Sequence, residues 1–265
     1  MIRYPAVAGS FYPSDPVELR RTILSLLSKV PEAEEKEVVG AIVPHAGYVY
    51  SGWVAAYAYR TLEKTTHPHK RVVVVGPNHT GYGAPVSVFP RGEWVTPLGP
   101  VPVDEEIAKQ IVERSSAEFD TDAHIFEHSV EVQLPFLQTI YPSFSFVPIV
   151  MLDQSYDAAK ELAEALPPDI VLIASSDFSH YVPADVAKRL DMLVIEKIRA
   201  LDAPGIERVV REHRISVCGY GPIMTLVEWA KAQNARAEVL KYATSGDVTG
   251  DYSNVVAYAA IVFVR

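Results

Sequence analysis

The chain reads as an α/β protein, one domain over residues 1–265, with a central mostly parallel or mixed β-sheet flanked by helices. Three observations predict this. Apolar runs of strand length alternate with amphipathic stretches nearly from end to end. Several of those runs are continuously apolar, as strands covered on both faces must be. No linker-like break in composition and no internal repeat divides the chain, and 265 residues suffice for an independent core.

The elements follow in order. Asp15, Pro16 and Glu18 open the first helix as cap, first-turn proline and dipole-complementing acid. Leu19, Ile23, Leu26 and Leu27 give it one apolar stripe. Val38–Val43 is a buried strand, followed by a loop and a helix over 53–62. The second core strand, 72–75, is cut off by Gly76-Pro77. Segments 86–89 and 93–103 contain Pro and Gly and predict shorter strands with turns. Helical patterns cover 104–114 and 128–140. Further strands are expected at 144–151, 170–174, 238–243 and Val255–Val264, with helices at 156–166, 184–200, 204–211 and 221–233. His67-Pro68-His69-Lys70-Arg71 reads as a loop.

A net charge of −9 disfavours nucleic-acid partners, because phosphate contacts need clustered Lys and Arg. The first residues lack the apolar core of a signal peptide. The longest apolar stretch, Val255–Val264, is about half of what a membrane helix needs. A cytoplasmic protein without membrane contact is therefore expected. One cysteine excludes an internal disulfide framework.

Chemistry-bearing residues recur at strand ends. His45 follows Val38–Val43, His79 follows 72–75, and Asp177 and His180 follow 170–174. Cys218 precedes an apolar helix, whose N-terminus would favour thiolate. In α/β proteins the carboxyl ends of parallel strands meet at one sheet edge, where ligand sites form. If these strands are parallel neighbours, the imidazoles, carboxylate and thiol converge on one site suited to a transition metal or a thiol nucleophile. Each residue also has a plain structural reading: a capped turn, a polar loop or a buried inert thiol.

His124-Ile125-Phe126-Glu127-His128 matches the H-x-x-E-H pattern of inverted zinc peptidases. It lies at a helix boundary and lacks a downstream carboxylate in helical context, so Glu127, His128 and Glu131 read equally well as pocket or capping residues. Thr244 to Asp251 form a polar turn-rich stretch that reads as a solvated loop. No phosphate- or dinucleotide-binding glycine fingerprint follows any strand.

Taken together, six stretches resemble the Memo family: RYPAVAGSFYP at 3–13, PHAGYVYSG at 44–52, GPNH at 76–79, EHSVEVQLPF at 127–136, SSDFSH at 175–180 and CGYGP at 218–222. They run in order over nearly the whole chain. The resemblance implies a class III extradiol dioxygenase-like fold with a metal centre at the strand ends. It implies His45, His79 and Cys218 as metal ligands and Asp177 as an acid at or beside the metal. His180 falls at an acid/base position and His128 at another pocket histidine. The ring-cleaving enzymes place a glutamate where Cys218 stands, so the resemblance implies iron or copper, with zinc also suited, rather than catechol cleavage. It also implies radical-SAM and AMMECR-type partners. Alternatives are a non-catalytic module binding a peptide in a cleft rimmed by Phe11, Tyr12 and Tyr48, or a thiol hydrolase using Cys218 and a neighbouring His.

Overall fold

A computed structural model describes residues 1–65 and 71–265. The expected loop at His67 to Lys70 lies outside the described residues. The chain runs β1 (Ile2–Arg3), α1 (Pro16–Ser28), β2 (Val38–Val43), α2 (Trp53–Glu63), β3 (Arg71–Pro77), β4 (Val86–Val88), β5 (Glu93–Thr96) and β6 (Gly99–Pro102). Next come α3 (Glu105–Arg114), β7 (Glu118–Phe119), α4 (Asp122–Ile125), α5 (Leu134–Ile140), β8 (Ser145–Met151) and α6 (Tyr156–Ala165). The C-terminal part holds β9 (Val171–Ser175), β10 (His180–Val182), α7 (Ala184–Arg199), α8 (Ala203–His213), α9 (Tyr220–Ala232), β11 (Arg236–Thr244), α10 (Gly246–Thr249) and β12 (Val255–Val264).

The main sheet is mixed. Its path is β10-β12-β2-β9-β3-β8-β4-β7, with β11 also paired to β12. At its centre β2, β9, β3 and β8 run parallel, while β12 and β4 flank them antiparallel. Successive residues of these strands face opposite layers, as strand geometry requires. Val73, Val75, Leu172 and Ala174 pack on one side with α6, α7, α8 and α9. Val72, Val74, Val171 and Ile173 pack on the other with α1, α2 and α5. Covered on both faces, the central strands must be apolar throughout, and each fully buried Val or Ile contributes about 1.5–3 kcal/mol.

Local signals acted as expected at α1, where the Asp15 carboxylate accepts the Glu18 amide at 2.8 Å. The pattern at 128–140 did not give one helix. A short 3-10 turn at Glu131–Gln133 precedes α5, which has proline in its first turn. Proline there starts a helix but cannot sit inside one. The stretch from Thr244 to Asp251 contains the short helix α10 rather than loop alone. Among the described residues no helix is long and apolar enough to cross a membrane.

Candidate metal centre

The carboxyl ends of β2, β9 and β3 deliver side chains to one edge. Val43 leads through Pro44 to His45, Pro77 through Asn78 to His79, and Ser175 through Ser176 to Asp177. In sheet order β9 lies between β2 and β3, so Asp177 emerges between the two histidines. Gly76 allows a close approach here: a Cβ would stand 2.3 Å from the Ser129 hydroxyl, which donates to the Pro77 carbonyl at 2.9 Å.

A chain of hydrogen bonds fixes the His45 ring. The Gln133 amide nitrogen donates to the Pro44 carbonyl and to the Ser175 hydroxyl oxygen, each at 2.9 Å. A carbonyl only accepts, so the Gln133 orientation is settled. The Ser175 hydroxyl spends its proton on the Ser129 carbonyl at 2.6 Å. His45 Nδ1, 2.9 Å from the same hydroxyl oxygen, must then be the donor. Nε2 is left unprotonated, 3.3 Å from Cys218 Sγ. Burial holds the His45 imidazole well below its ordinary pKa, reinforced by nearby histidines, so the ring stays neutral.

Glu127 does the same for His79. Its Oε1 accepts from His79 Nδ1 and from the amides of His128 and Ser129, each at 2.9 Å; Oε2 accepts the His79 amide at 2.5 Å. Burial alone would raise this carboxyl, but the hydrogen bond and charge of His79 bring it down to about 2. An ionised Glu127 can only accept, so His79 Nδ1 carries hydrogen and Nε2 is the nitrogen open to a cation.

Cys218 comes just before Gly219, the N-cap of α9. Its sulfur accepts the Asp177 amide at 3.2 Å, and Gln154 clamps the turn by donating to the Cys218 carbonyl at 2.8 Å and accepting from Gly221 at 2.9 Å. Burial works against the thiolate that the sequence expects at this helix start. Burial pushes the thiol up, and the neighbouring Asp177 carboxylate adds to the effect. The Asp177 carboxyl is itself raised by burial to about 6, although it accepts the His45 amide at 2.9 Å. Its Oδ2 stands 3.9 Å from His45 Nε2.

One ligand atom from each of His45, His79 and Cys218 falls within a mutual 4.8 Å. Bonds of about 2.3 Å to sulfur and about 2.0 Å to nitrogen at tetrahedral angles separate ligands by roughly 3.3–3.5 Å. The 3.3 Å between His45 Nε2 and Cys218 Sγ already matches that edge. These donors therefore fit a metal. A second grouping, His79 with Glu127 and His128, meets the same distance limit, with Glu127 already taking three donors on Oε1 and one on Oε2.

The remaining residues separate clearly. His128 stacks on His79 at 4.8 Å and meets His45 edge-on at 5.4 Å. His180 sits at the start of β10, its Nδ1 donating to the Ser216 carbonyl at 2.8 Å. His124, four residues before His128, turns away into a box of Phe89 and Trp94, with both ring nitrogens unpartnered. The zinc-peptidase reading therefore falls, because α4 ends at Ile125 and the two histidines face different surroundings.

Phe11 reaches the centre, with its ring 4.7 Å from His128. Tyr12 and Tyr48 border the same groove of about 620 Å³, but their hydroxyls are spent on Glu131 and on the Val132 carbonyl, each at 2.6 Å. Glu131 is no pocket residue. It is buried, pairs with Arg3, and accepts the Ala6 and Val7 amides at 2.8 and 3.1 Å. Sequence reasoning missed Ser175, Gln133 and Gln154. The polar break of Ser175 within an apolar strand was the available signal for the first; the two glutamines gave none.

Comparison with known proteins accords with this geometry. A family model described as Memo-like protein matches residues 3–262. A MEMO1 family protein of Methanopyrus kandleri is 46% identical, with 100% of each chain covered. MEMO1 family proteins of Sulfolobus acidocaldarius and Desulfurococcus amylolyticus are 45% and 46% identical, covering 99% and 98% of each chain. The crystal structure of an uncharacterized protein from Escherichia coli K12 superposes with a TM-score of 0.57 at 15% identity, covering 84% of this chain and 98% of the other. That likeness is one of fold.

Proposed function

The chain belongs to the Memo-like protein family, and from that premise we propose that it is a metal-dependent redox protein whose centre is held by His45, His79 and Cys218. One observation carries the reading. Each imidazole has its outer nitrogen committed as a donor, to Ser175 or to Glu127, which leaves Nε2 as a ready ligand. Such outer contacts are what metal-bound histidines use.

Two imidazoles with one thiolate suit iron, copper or zinc. Iron or copper held there would supply one-electron exchange, whereas zinc would supply Lewis acidity alone. Ligation would release the thiol proton, because only thiolate binds a metal. His128, whose Nδ1 stands 3.6 Å from Glu127 Oε1 and whose ring lies beside the other two, would be the proton carrier nearest the centre. Asp177 orients the His45 backbone and the Cys218 sulfur. His180, whose Nδ1–H is held by the Ser216 carbonyl, would present Nε2 as a proton acceptor farther out.

A Cys–His hydrolase is the weaker reading. It needs a thiolate–imidazolium pair, yet burial raises the Cys218 thiol and lowers the His45 imidazole.

Anaerobic reconstitution with Fe(II), Cu(I) or Zn(II), followed by elemental analysis, tests the centre. One equivalent of iron or copper is expected, lost in the His45→Ala, His79→Ala, Cys218→Ala triple variant. Stoichiometric metal persisting in that variant would remove the site. Retention of zinc alone would remove the redox role.

A further inference from the structure

On the side of the molecule formed by α1 and the β5–β6 hairpin, a groove of about 730 Å³ runs along the helix from Pro16 to Ser28. Its opposite wall is the hairpin turn, Pro97 and Leu98. None of its lining residues belongs to the metal centre. Beyond the turn lies a second hollow of about 300 Å³, and Arg20 and Leu98 border both.

The helix α1 already satisfies the core with Leu19, Ile23 and Leu27. Its outer face nevertheless carries Val17 and Leu24, which are 72% and 52% exposed and lie two turns apart. Arg20 and Arg21 stand between them, and neither has an acidic partner or a hydrogen bond among the described residues. In a chain of net charge −9, an unpaired arginine pair over an apolar groove is locally opposite to the whole. Two exposed arginines without an acidic partner among the described residues therefore border an apolar depression.

We infer that this groove docks an acidic amphipathic helix of a partner protein. Apolar residues at i, i+4 and i+7 of that helix seat against Val17, Leu24 and Leu98, and its carboxylates meet Arg20 and Arg21. The groove follows three turns of α1, which suits a helix laid alongside it. Two arginines over an apolar floor suit carboxylates on a hydrophobic scaffold better than a nucleic-acid backbone, which needs a longer run of cations and no floor.

The probe is a fluorescein-labelled synthetic helical peptide with Leu at those positions and Glu between them, titrated into the full-length protein by anisotropy. Its Lys-for-Glu counterpart, a single-stranded RNA oligonucleotide and the protein's own self-association by light scattering serve as comparisons. Binding of the acidic peptide is expected, weakening with added salt. It should fall about tenfold in the Arg20→Glu, Arg21→Glu variant, which in turn should prefer the Lys peptide. Val17→Ser with Leu24→Ser should lower the affinity for both peptides, while circular dichroism shows the fold retained. The inference is overturned if neither peptide binds at millimolar concentration or if both bind the wild type equally. RNA binding through the two arginines, or a dimer that the Arg20→Glu, Arg21→Glu variant dissociates, overturns it as well.

Discussion

Glu127→Gln isolates the link between a buried carboxylate and the proposed ligand His79. In the wild type, Oε1 receives three donors and Oε2 a fourth. The variant does best by keeping its amide oxygen where the three donors converge. Its NH2 then faces the His79 amide, and one buried donor loses its acceptor, costing about 1–3 kcal/mol. The other three bonds lose their charge assistance, roughly half of each bond's strength. Together these destabilise the metal-free protein by about 3 kcal/mol, which lowers Tm by roughly 6–12 °C for a chain of this size. Loss of the charged partner behind His79 should also weaken metal binding about 10- to 100-fold. Urea unfolding of the metal-free protein reads the first effect, and chelator competition reads the second. A variant that loses stability yet binds metal as tightly as wild type would show that Glu127 braces the loop without acting on His79, and would refute the reasoning.

Two further outcomes follow from the same contacts. Ser175→Ala strips the acceptor from His45 Nδ1 and the donor from the Ser129 carbonyl; metal affinity should fall about tenfold in chelator competition, with unfolding free energy reduced by about 1–3 kcal/mol. His124→Phe replaces an imidazole whose buried nitrogens have no partners, and should stabilise the protein by about 1 kcal/mol at pH 7, measured by thermal melting. Burial lowers the His124 pKa to about 3, so below pH 6.5 the unfolded chain takes up a proton that the folded one refuses. Wild-type stability therefore falls with pH at this residue by about 1.4 kcal/mol per unit. The gap to His124→Phe should widen to about 3 kcal/mol at pH 5, and an unchanged gap would contradict the assignment.

Much of this protein is legible one segment at a time. Val38–Val43 and Val255–Val264 announce themselves as strands because residues covered on both faces must all be apolar. His45, His79 and Asp177 are visible for the same reason in reverse, as the first titratable groups after such runs end. Their convergence follows once the strands are parallel, so the grouping of His45, His79 and Cys218 was within reach of the sequence and the family resemblance together. The 128–140 segment shows where periodicity stops helping. Its apolar spacing suggests one helix, but Glu131 is drawn to Arg3 and to amides at the far N-terminal end. The preferences of the segment itself were outweighed by a buried ion pair with a distant partner.

Sequence by itself determined which residues form strands, where the chain breaks into polar turns, and which side chains were available for chemistry. Only the tertiary structure decided their protonation and their roles. His124 and His128 are near neighbours in one motif, yet one is sealed among aromatic rings and the other stacks on His79. The Cys218 thiol sits beside a helix start, yet burial pushes its pKa up. Protonation depends on desolvation and on hydrogen-bond partners that folding brings in from elsewhere, such as Ser175 for His45 and Glu127 for His79. Those quantities exist only when distant segments share one water-excluding interior.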